Sequence, residues 1–294
     1  VVLGANGQLG SDISFVPRKL KKSHKLILLT REQLDITDFK AIDNVLNGIS
    51  FDVLLNCTSY HKTDEVEQNA ALAMQVNSHA VQKMAQVCKQ KGAKFFHVST
   101  DYVFGGNKSA YNEPLTESTS PAPINVYGAS KLLGENLARL ACENTFILRV
   151  ASLFGVAGSS GKGGNFVETM IKLAKERSKL QVVSDQFMSP TGTEFIANSF
   201  FKMLEAKPEP GIYNVVNSGS ASWYEFAKAI ITKSGLECEV EPVSSSFYKT
   251  VALRPSYSVL DNTKLSKLIG PIDHWEKSLD NYFYRKSSLV VANN

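Results

Sequence analysis

The sequence predicts an α/β fold, a doubly wound parallel sheet followed by a smaller α/β part, and three observations carry that prediction. Short apolar runs at Leu26–Leu29, Val53–Leu55, Phe95–Val98 and Phe146–Val150 lack polar alternation, as strands buried on both faces do. Segments of helical character, Asp38–Leu46, Ala70–Gln90 and Val126–Leu140, separate them, and strand-helix-strand alternation with right-handed crossovers gives a parallel sheet. Third, Val1-Val2-Leu3 runs straight into Gly4-Ala5-Asn6-Gly7-Gln8-Leu9-Gly10 and a helix-compatible stretch, which reads as strand, glycine turn and helix start.

The glycine turn sets the first functional expectation. Glycines let the backbone turn tightly and approach a pyrophosphate, and a helix N-terminus offers it free N–H groups and partial positive charge. The first strand reads as lacking its opening residues. The second ends at Thr30-Arg31, about 20 positions past the glycines, where an acidic residue would bind a ribose 2′-hydroxyl and favour NAD. The forked, permanently charged Arg31 suits a 2′-phosphate instead, so NADPH is expected, with NADH possible. The alternative is a solvated surface Arg, and Glu32 beside it favours that alternative. Thr100 to Phe104 follow the fourth strand, at the carboxyl edge where open α/β sheets place their chemistry. Tyr127 and Lys131 then stand four apart on one helix face and can share a reaction centre. A fixed ammonium and a cationic nicotinamide would draw the phenol down from its free value near ~10 into acid/base range.

After Arg149 the texture changes. A glycine- and serine-rich segment, Gly155–Gly164, precedes a helix-like Phe166–Lys175, then short strands Ile212–Val216 and Val240–Val243 beside a helix-like Trp223–Ser234. The division is placed near residue 150, giving 1–150 and 151–294. With 294 residues, 43% hydrophobic and 20% charged, the chain can bury a sizeable core. A net charge of +4 is small for that length, and Arg18-Lys19-Leu20-Lys21-Lys22 reads as a solvated helix end rather than a nucleic-acid patch. Cys57, Cys88, Cys142 and Cys238 are widely separated without metal-ligand spacing, which argues for reduced thiols and no metal. No apolar run approaches the ~20 residues of a membrane span and no signal-peptide pattern opens the chain, so a cytoplasmic location is expected.

GANGQLG, NCTS at Asn56–Ser59, STDYVFGG at Ser99–Gly106 and NVYGASK at Asn125–Lys131 resemble the extended short-chain dehydrogenase/reductases. Gly164-Asn165-Phe166, Asp185-Gln186-Phe187, Pro190-Thr191-Gly192 and Arg254-Pro255 narrow that resemblance to the dTDP-4-dehydrorhamnose reductases, over nearly the whole chain. It implies a Rossmann-type sheet, and a second part that mainly binds substrate while segments return to the first. It implies Thr100 as third catalytic member, hydrogen-bonding the substrate carbonyl while Tyr127 delivers the proton and Lys131 holds the nicotinamide ribose. Cofactor contacts are implied for Gly4, Asn6, Gly7, Gln8, Leu9, Gly10, Arg31, the adenine-contacting pair Asp35-Ile36, and Cys57-Thr58-Ser59. Asn77 would support the site from its helix, or be an exposed helical Asn. Substrate contacts are implied for His61, Asp101, Tyr102, Phe104, Ser152, Asn165 and Arg254. For three of these an alternative stands: an exposed loop His61, a structural Asp101 and a rim salt bridge for Arg254.

Two departures shape the expected chemistry. Sugar-nucleotide dehydratases of the same superfamily carry Asp-Glu after the Thr, whereas Tyr102 cannot act as a carboxylate base, so elimination is disfavoured. Where rhamnose-forming reductases show Arg-Thr-Ser-Trp, this chain reads Arg149-Val150-Ala151-Ser152, losing a stacking contact of ~1 kcal/mol. Either Phe154 or Phe187 covers the sugar, or the sugar differs. The resemblance therefore implies NADPH-dependent reduction of the 4-keto group of a nucleotide-linked 6-deoxyhexose, dTDP-4-dehydro-β-L-rhamnose first. The alternatives are a reductase or epimerase of another nucleotide sugar, and a cofactor-binding regulatory subunit like that of methionine adenosyltransferase. Homodimerisation, and a divalent ion joining subunits, are left open.

Overall fold

A computed structural model describes residues 1–16, 24–106, 113–158 and 164–292. The basic cluster at 18–22 and part of the glycine- and serine-rich segment lie outside the described residues. Five parallel strands, β1 (Val2–Leu3), β2 (Leu28–Leu29), β3 (Val53–Asn56), β4 (Lys94–Thr100) and β5 (Thr145–Val150), join a sixth, Gly211–Asn214. Their order is β2-β1-β3-β4-β5 and then Gly211–Asn214, parallel throughout. The chain leaves β1 for the edge and returns on its other side to β3, so a topological switch point lies between β1 and β3, where such sheets bind ligands. Register then fixes neighbours: Asn56 pairs with His97, and Ser99 and Thr100 with Arg149 and Val150.

Successive strand residues point to opposite faces. Phe95 enters one core with Ile42, Met84 and Ile147. Phe96 enters the other, stacked on Phe146 at 4.4 Å and edge-on to Phe200 at 5.2 Å. That second face is covered partly by residues from late in the chain, Ile196, Phe200, Phe201 and Leu265. Gly211–Asn214, read from sequence as a short strand of the second part, lies beside β5 in the first sheet. A third core, with Phe154, Val167, Phe226, Ile230, Trp275 and Leu279, gathers the helices Phe166–Glu176, Trp223–Ser234 and Trp275–Ala292. The last of these takes in the apolar Ser288–Val291 stretch. Among the described residues no helix is long and apolar enough to cross a membrane.

The predicted helix over 70–90 is interrupted. Ala70–Met74 and Ala80–Lys91 are α-helical, and Gln75–His79 between them forms one π turn. The wider turn shifts the helical phase and buries Asn77 and Ser78. Such bulges recur at functional sites.

Candidate active site

The glycine turn has the shape a dinucleotide needs. Gly4 adopts φ +76, a conformation that favours glycine, and a Cβ there would come within 3.2 Å of Thr58 Cγ2. A Cβ on Gly10 would lie 2.2 Å from the Gly4 carbonyl oxygen, so a side chain would fill the cradle. Gly7 caps the helix Gln8–Phe15 without any side-chain hydrogen bond, which leaves first-turn N–H groups for an anion. Leu9 is buried in the core and offers only its backbone, while Asn6 is exposed. Arg31, with 81% of its side chain exposed, pairs with Asp35 at 3.3 Å. Asp35 also accepts from the Thr37 N–H and hydroxyl, bonds that hold its carboxyl below the usual range. The Ile36 side chain is buried in the same core as Leu34.

Tyr127 and Lys131 project from the helix Val126–Ala141, whose start is fixed twice. Asn125 caps it through Gly128 N at 2.7 Å, and Glu67 accepts from Val126 N at 2.8 Å. A Cβ on Gly128 would stand 2.0 Å from the Tyr102 carbonyl, so glycine lets this helix sit directly on the turn after β4. The Tyr127 phenol is thereby set beside Thr100 and Ser59, whose hydroxyls favour its ionised form. Burial outweighs them and pushes the phenol up to about 12. The lowered phenol expected from a facing ammonium is absent for a geometric reason. Lys131 turns inward, donating from Nζ to the Val98 carbonyl at 2.7 Å and lying 3.0 Å from His97 Nε2. Burial brings Lys131 down to about 7.

Thr100 Oγ1 donates to Asp101 Oδ1 at 3.1 Å and accepts from Tyr102 N at 3.2 Å. Ser258 donates to the other Asp101 oxygen at 2.6 Å, and burial raises this carboxyl to about 6. Tyr102 packs its ring edge-on to Tyr127 at 5.8 Å. Phe104 is not a substrate contact: it is fully buried with Val103, Leu115 and Ala151, and the Arg149 guanidinium covers its ring at 5.1 Å.

Asn77 and Asn165 are both engaged within the protein, and Asn77 supports the site from its helix rather than lying exposed. Asn77 Nδ2 donates to the Tyr60 carbonyl and Ser130 Oγ, and Oδ1 accepts from Tyr60 N and Ser59 Oγ. It braces the loop after β3 against the dyad helix. Asn165 caps the helix Phe166–Glu176 through Glu168 N and donates to Gln8 Oε1 and the Gly155 carbonyl. It ties the glycine turn to the second part, with both amide hydrogens already donated within the protein. Cys57 and Thr58 do flank the glycine turn, Cys57 N donating to the Leu3 carbonyl and Thr58 lying against Gly4. His61 places Nδ1 3.2 Å from the Ser59 carbonyl, half-buried beside the dyad. Arg254 forks onto Asp64 at 2.9 and 3.1 Å and is anchored near the dyad, since Asn125 donates to the Leu253 carbonyl. Ser152 is half-exposed with φ 44, left-handed for a residue carrying a Cβ. Of the two rings proposed to replace the missing Trp, Phe154 is buried against Phe226 and Tyr282. Phe187 is 39% exposed, and its carbonyl accepts from the N–H of Ser258, whose hydroxyl holds Asp101.

A family model described as the RmlD substrate binding domain matches residues 1–287. The chain belongs to that family. It is 36% identical over 289 residues to a spore coat polysaccharide biosynthesis protein, SpsK, of Bacillus subtilis, covering 98% of each chain. A dTDP-4-dehydrorhamnose reductase of Burkholderia thailandensis is 33% identical over 286 residues, 92% of each. The crystal structure of dTDP-4-dehydrorhamnose reductase from Bacillus anthracis in complex with NADP superposes with a TM-score of 0.88 at 34% identity, covering 97% of this chain and 98% of that one.

Three residues of this RmlD-family site escaped the sequence reading: His97, Glu135 and Arg149. Glu135 accepts from Arg149 through both carboxylate oxygens, at 3.0 and 2.7 Å, and from Ser99 at 2.5 Å, with both side chains 1% exposed. The signals were present. Glu135 stands four residues beyond Lys131 on the same helix face, and His97 is a polar residue inside an apolar strand.

Proposed function

We propose that this protein reduces the 4-keto group of a nucleotide-linked 6-deoxyhexose with NADPH, converting dTDP-4-dehydro-β-L-rhamnose to dTDP-L-rhamnose. The observation that carries this reading is the grouping of Tyr127, Thr100 and Ser59 at the carboxyl edge of the sheet, with the Tyr127 helix seated through Gly128 on the Tyr102 carbonyl and a tyrosine at 102 where elimination would need a carboxylate. The names of the relatives support the substrate, and the NADP complex of the Bacillus anthracis protein supports the cofactor.

The dinucleotide supplies the hydride. The Gly4–Gly10 turn holds its pyrophosphate, Arg31 exchanges Asp35 for its 2′-phosphate, and Lys131 holds its nicotinamide ribose. Tyr127 gives its proton to the carbonyl oxygen as that oxygen gains charge, a contribution of roughly 10²–10⁴-fold in rate. Thr100 turns its hydrogen from Asp101 to the same oxygen, and Asp101 orients it. Residues 151–294 form most of the sugar side, where Arg254 leaves Asp64 for the diphosphate and Phe187 covers the sugar in place of the missing Trp. The likeness to a spore coat polysaccharide biosynthesis protein supports a product destined for a surface polysaccharide, and we place the reaction in the cytoplasm.

The test is loss of NADPH absorbance on adding dTDP-4-dehydrorhamnose. Reduction of a different nucleotide 4-ketosugar in its place would overturn the sugar assignment. Inertness toward every such sugar, with NADPH still bound, would overturn the catalytic reading in favour of a regulatory one.

A further inference from the structure

His97 is fully buried and has no part in the chemistry described so far, yet it lies between Asn56 at the end of β3 and Lys131. Register sets it directly opposite Asn56, the last residue of β3. Asn56 is oriented unambiguously: its Oδ1 accepts from the Thr58 backbone N–H at 3.0 Å, a group that can only donate, and from the Thr58 hydroxyl at 2.5 Å. Its amide nitrogen therefore faces His97 Nδ1, at 3.1 Å. An amide nitrogen only donates, so Nδ1 accepts, and a neutral imidazole must then carry its hydrogen on Nε2. Lys131 Nζ lies 3.0 Å from Nε2. An ammonium has three donors and no acceptor, so it would point a hydrogen at an N–H. A neutral amine fits, accepting from Nε2–H through its lone pair and donating to the Val98 carbonyl.

The surroundings agree. Lys131 is 1% exposed, and burial penalises charge on both it and His97. The titratable groups facing it are His97 from β4, Cys57 after β3 and Glu135 from its own helix, with Arg149 of β5 paired to Glu135. Cys57 is held neutral by burial, its thiol pushed up to about 12. Glu135 is the one carboxylate that favours the ammonium, and Arg149 and Ser99 already occupy it.

We propose that His97, oriented by Asn56, is a positioning residue that keeps Lys131 a neutral amine while the cofactor site is empty, so that Lys131 takes up one proton as the dinucleotide binds. The proton comes from solvent and forms a fourth bond at Nζ. This removes the lone pair that held Nζ to Nε2–H and frees the side chain to swing toward the ribose. The Tyr127 phenol then meets an ammonium only in the loaded enzyme, where that charge opposes the burial that raises the phenol in the free one. The linkage to binding rests on reading Lys131 as the ribose-holding residue; the His97 tautomer does not.

Two measurements separate these. In ¹⁵N NMR of the cofactor-free protein, His97 should carry its hydrogen on Nε2, and a hydrogen on Nδ1 or on both nitrogens would overturn the proposal outright. In calorimetry of NADPH binding at mildly alkaline pH, repeated in buffers of different ionisation heat, uptake should approach one proton per site. Asn56→Asp should abolish it, because a carboxylate accepts from Nδ1–H, makes Nε2 an acceptor and holds Lys131 as an ammonium beforehand. Equal uptake in the two proteins overturns the switch. An Nε2–H tautomer with no uptake in the wild type keeps the tautomer but removes Lys131 from the ribose.

Discussion

The wall of the cleft and its rim are built to opposite rules. In the wall, around Thr100, Tyr127 and Lys131, the polar side chains are buried and bonded to other parts of the protein: Thr100 to Asp101, Asp101 to Ser258, Asn77 to Ser59 and Ser130, and Glu135 to Arg149. At the rim, the cations sit in exchangeable ion pairs, Arg31 with Asp35 and Arg254 with Asp64. Beside Arg254 runs an open apolar strip, with Phe247, Val251 and Leu253 exposed by 56, 61 and 65%. Exposed ion pairs contribute only ~0–1 kcal/mol, so an incoming phosphate can displace a carboxylate at little cost. Breaking a buried pair such as Glu135–Arg149 costs about 3–5 kcal/mol. On the proposed function, the wall is expected to fix which reaction is run and the rim to decide which molecule is brought to it.

If that division holds, wall variants should act on turnover and rim variants on binding. Tyr127→Phe should lower kcat by ~10²-fold or more and leave NADPH affinity unchanged; near-normal turnover would take the phenol out of the reaction. Asp101 tests the wall through stability. Burial raises its carboxyl to about 6 from ~3.9 when unfolded, so the native state retains a proton that the unfolded chain releases. The burial penalty is absent below the lower value and complete above the higher, and stability should fall as pH rises between them. Asp101→Asn should remove that slope in urea unfolding midpoints, and an identical slope in the two proteins would contradict the assignment.

At the rim, Arg254→Ala should raise the KM for the nucleotide sugar by roughly 10- to 100-fold, the ~1.5–3 kcal/mol of hydrogen bonds to a charged group, with a smaller change in kcat. A kcat loss at unchanged KM would place Arg254 in the wall. Arg31→Ala should weaken NADPH by ~1–3 kcal/mol and NADH far less. Equal losses would show that its guanidinium does not read the 2′-phosphate.

The wall was also the more legible half. Apolar runs located four of the sheet strands, and the Tyr-Lys spacing found the dyad helix within a residue or two, because strand burial and helix periodicity are local properties. What remained hidden depends on distant pairings. The sixth strand lies some 60 residues beyond its neighbour β5. Asn77 required an irregular turn that periodicity does not announce. Phe104 and Asn165 stand in motifs beside binding residues, yet one is core and the other a helix cap, and only the three-dimensional count of their partners separates those roles. The open charge state of Lys131 depends on Asn56, 75 positions away in sequence and next to His97 only through strand register.

Ser152 is where wall and rim meet, and it offers the smallest but most discriminating effect. Its φ of 44 puts a Cβ-bearing residue in the left-handed region, at a cost of about 1–2 kcal/mol, just past the buried Ala151 and within the loop that lacks the expected Trp. Ser152→Gly removes that strain but adds about 0.5–1 kcal/mol of unfolded-state freedom, so a net stabilisation of up to ~1 kcal/mol is expected from urea unfolding. Because glycine adds no surface, the KM for the sugar should stay within about twofold unless the serine hydroxyl itself holds the substrate. Ser152→Trp asks the opposite: it keeps the strain and fills the space, so its effect should fall on the sugar KM alone, with NADPH affinity unchanged. Loss of stability in Ser152→Gly would mean that the hydroxyl, rather than the backbone, holds this turn. An unmoved sugar KM in Ser152→Trp would place the position outside the substrate pocket, leaving Phe187 and Arg254 to account for recognition.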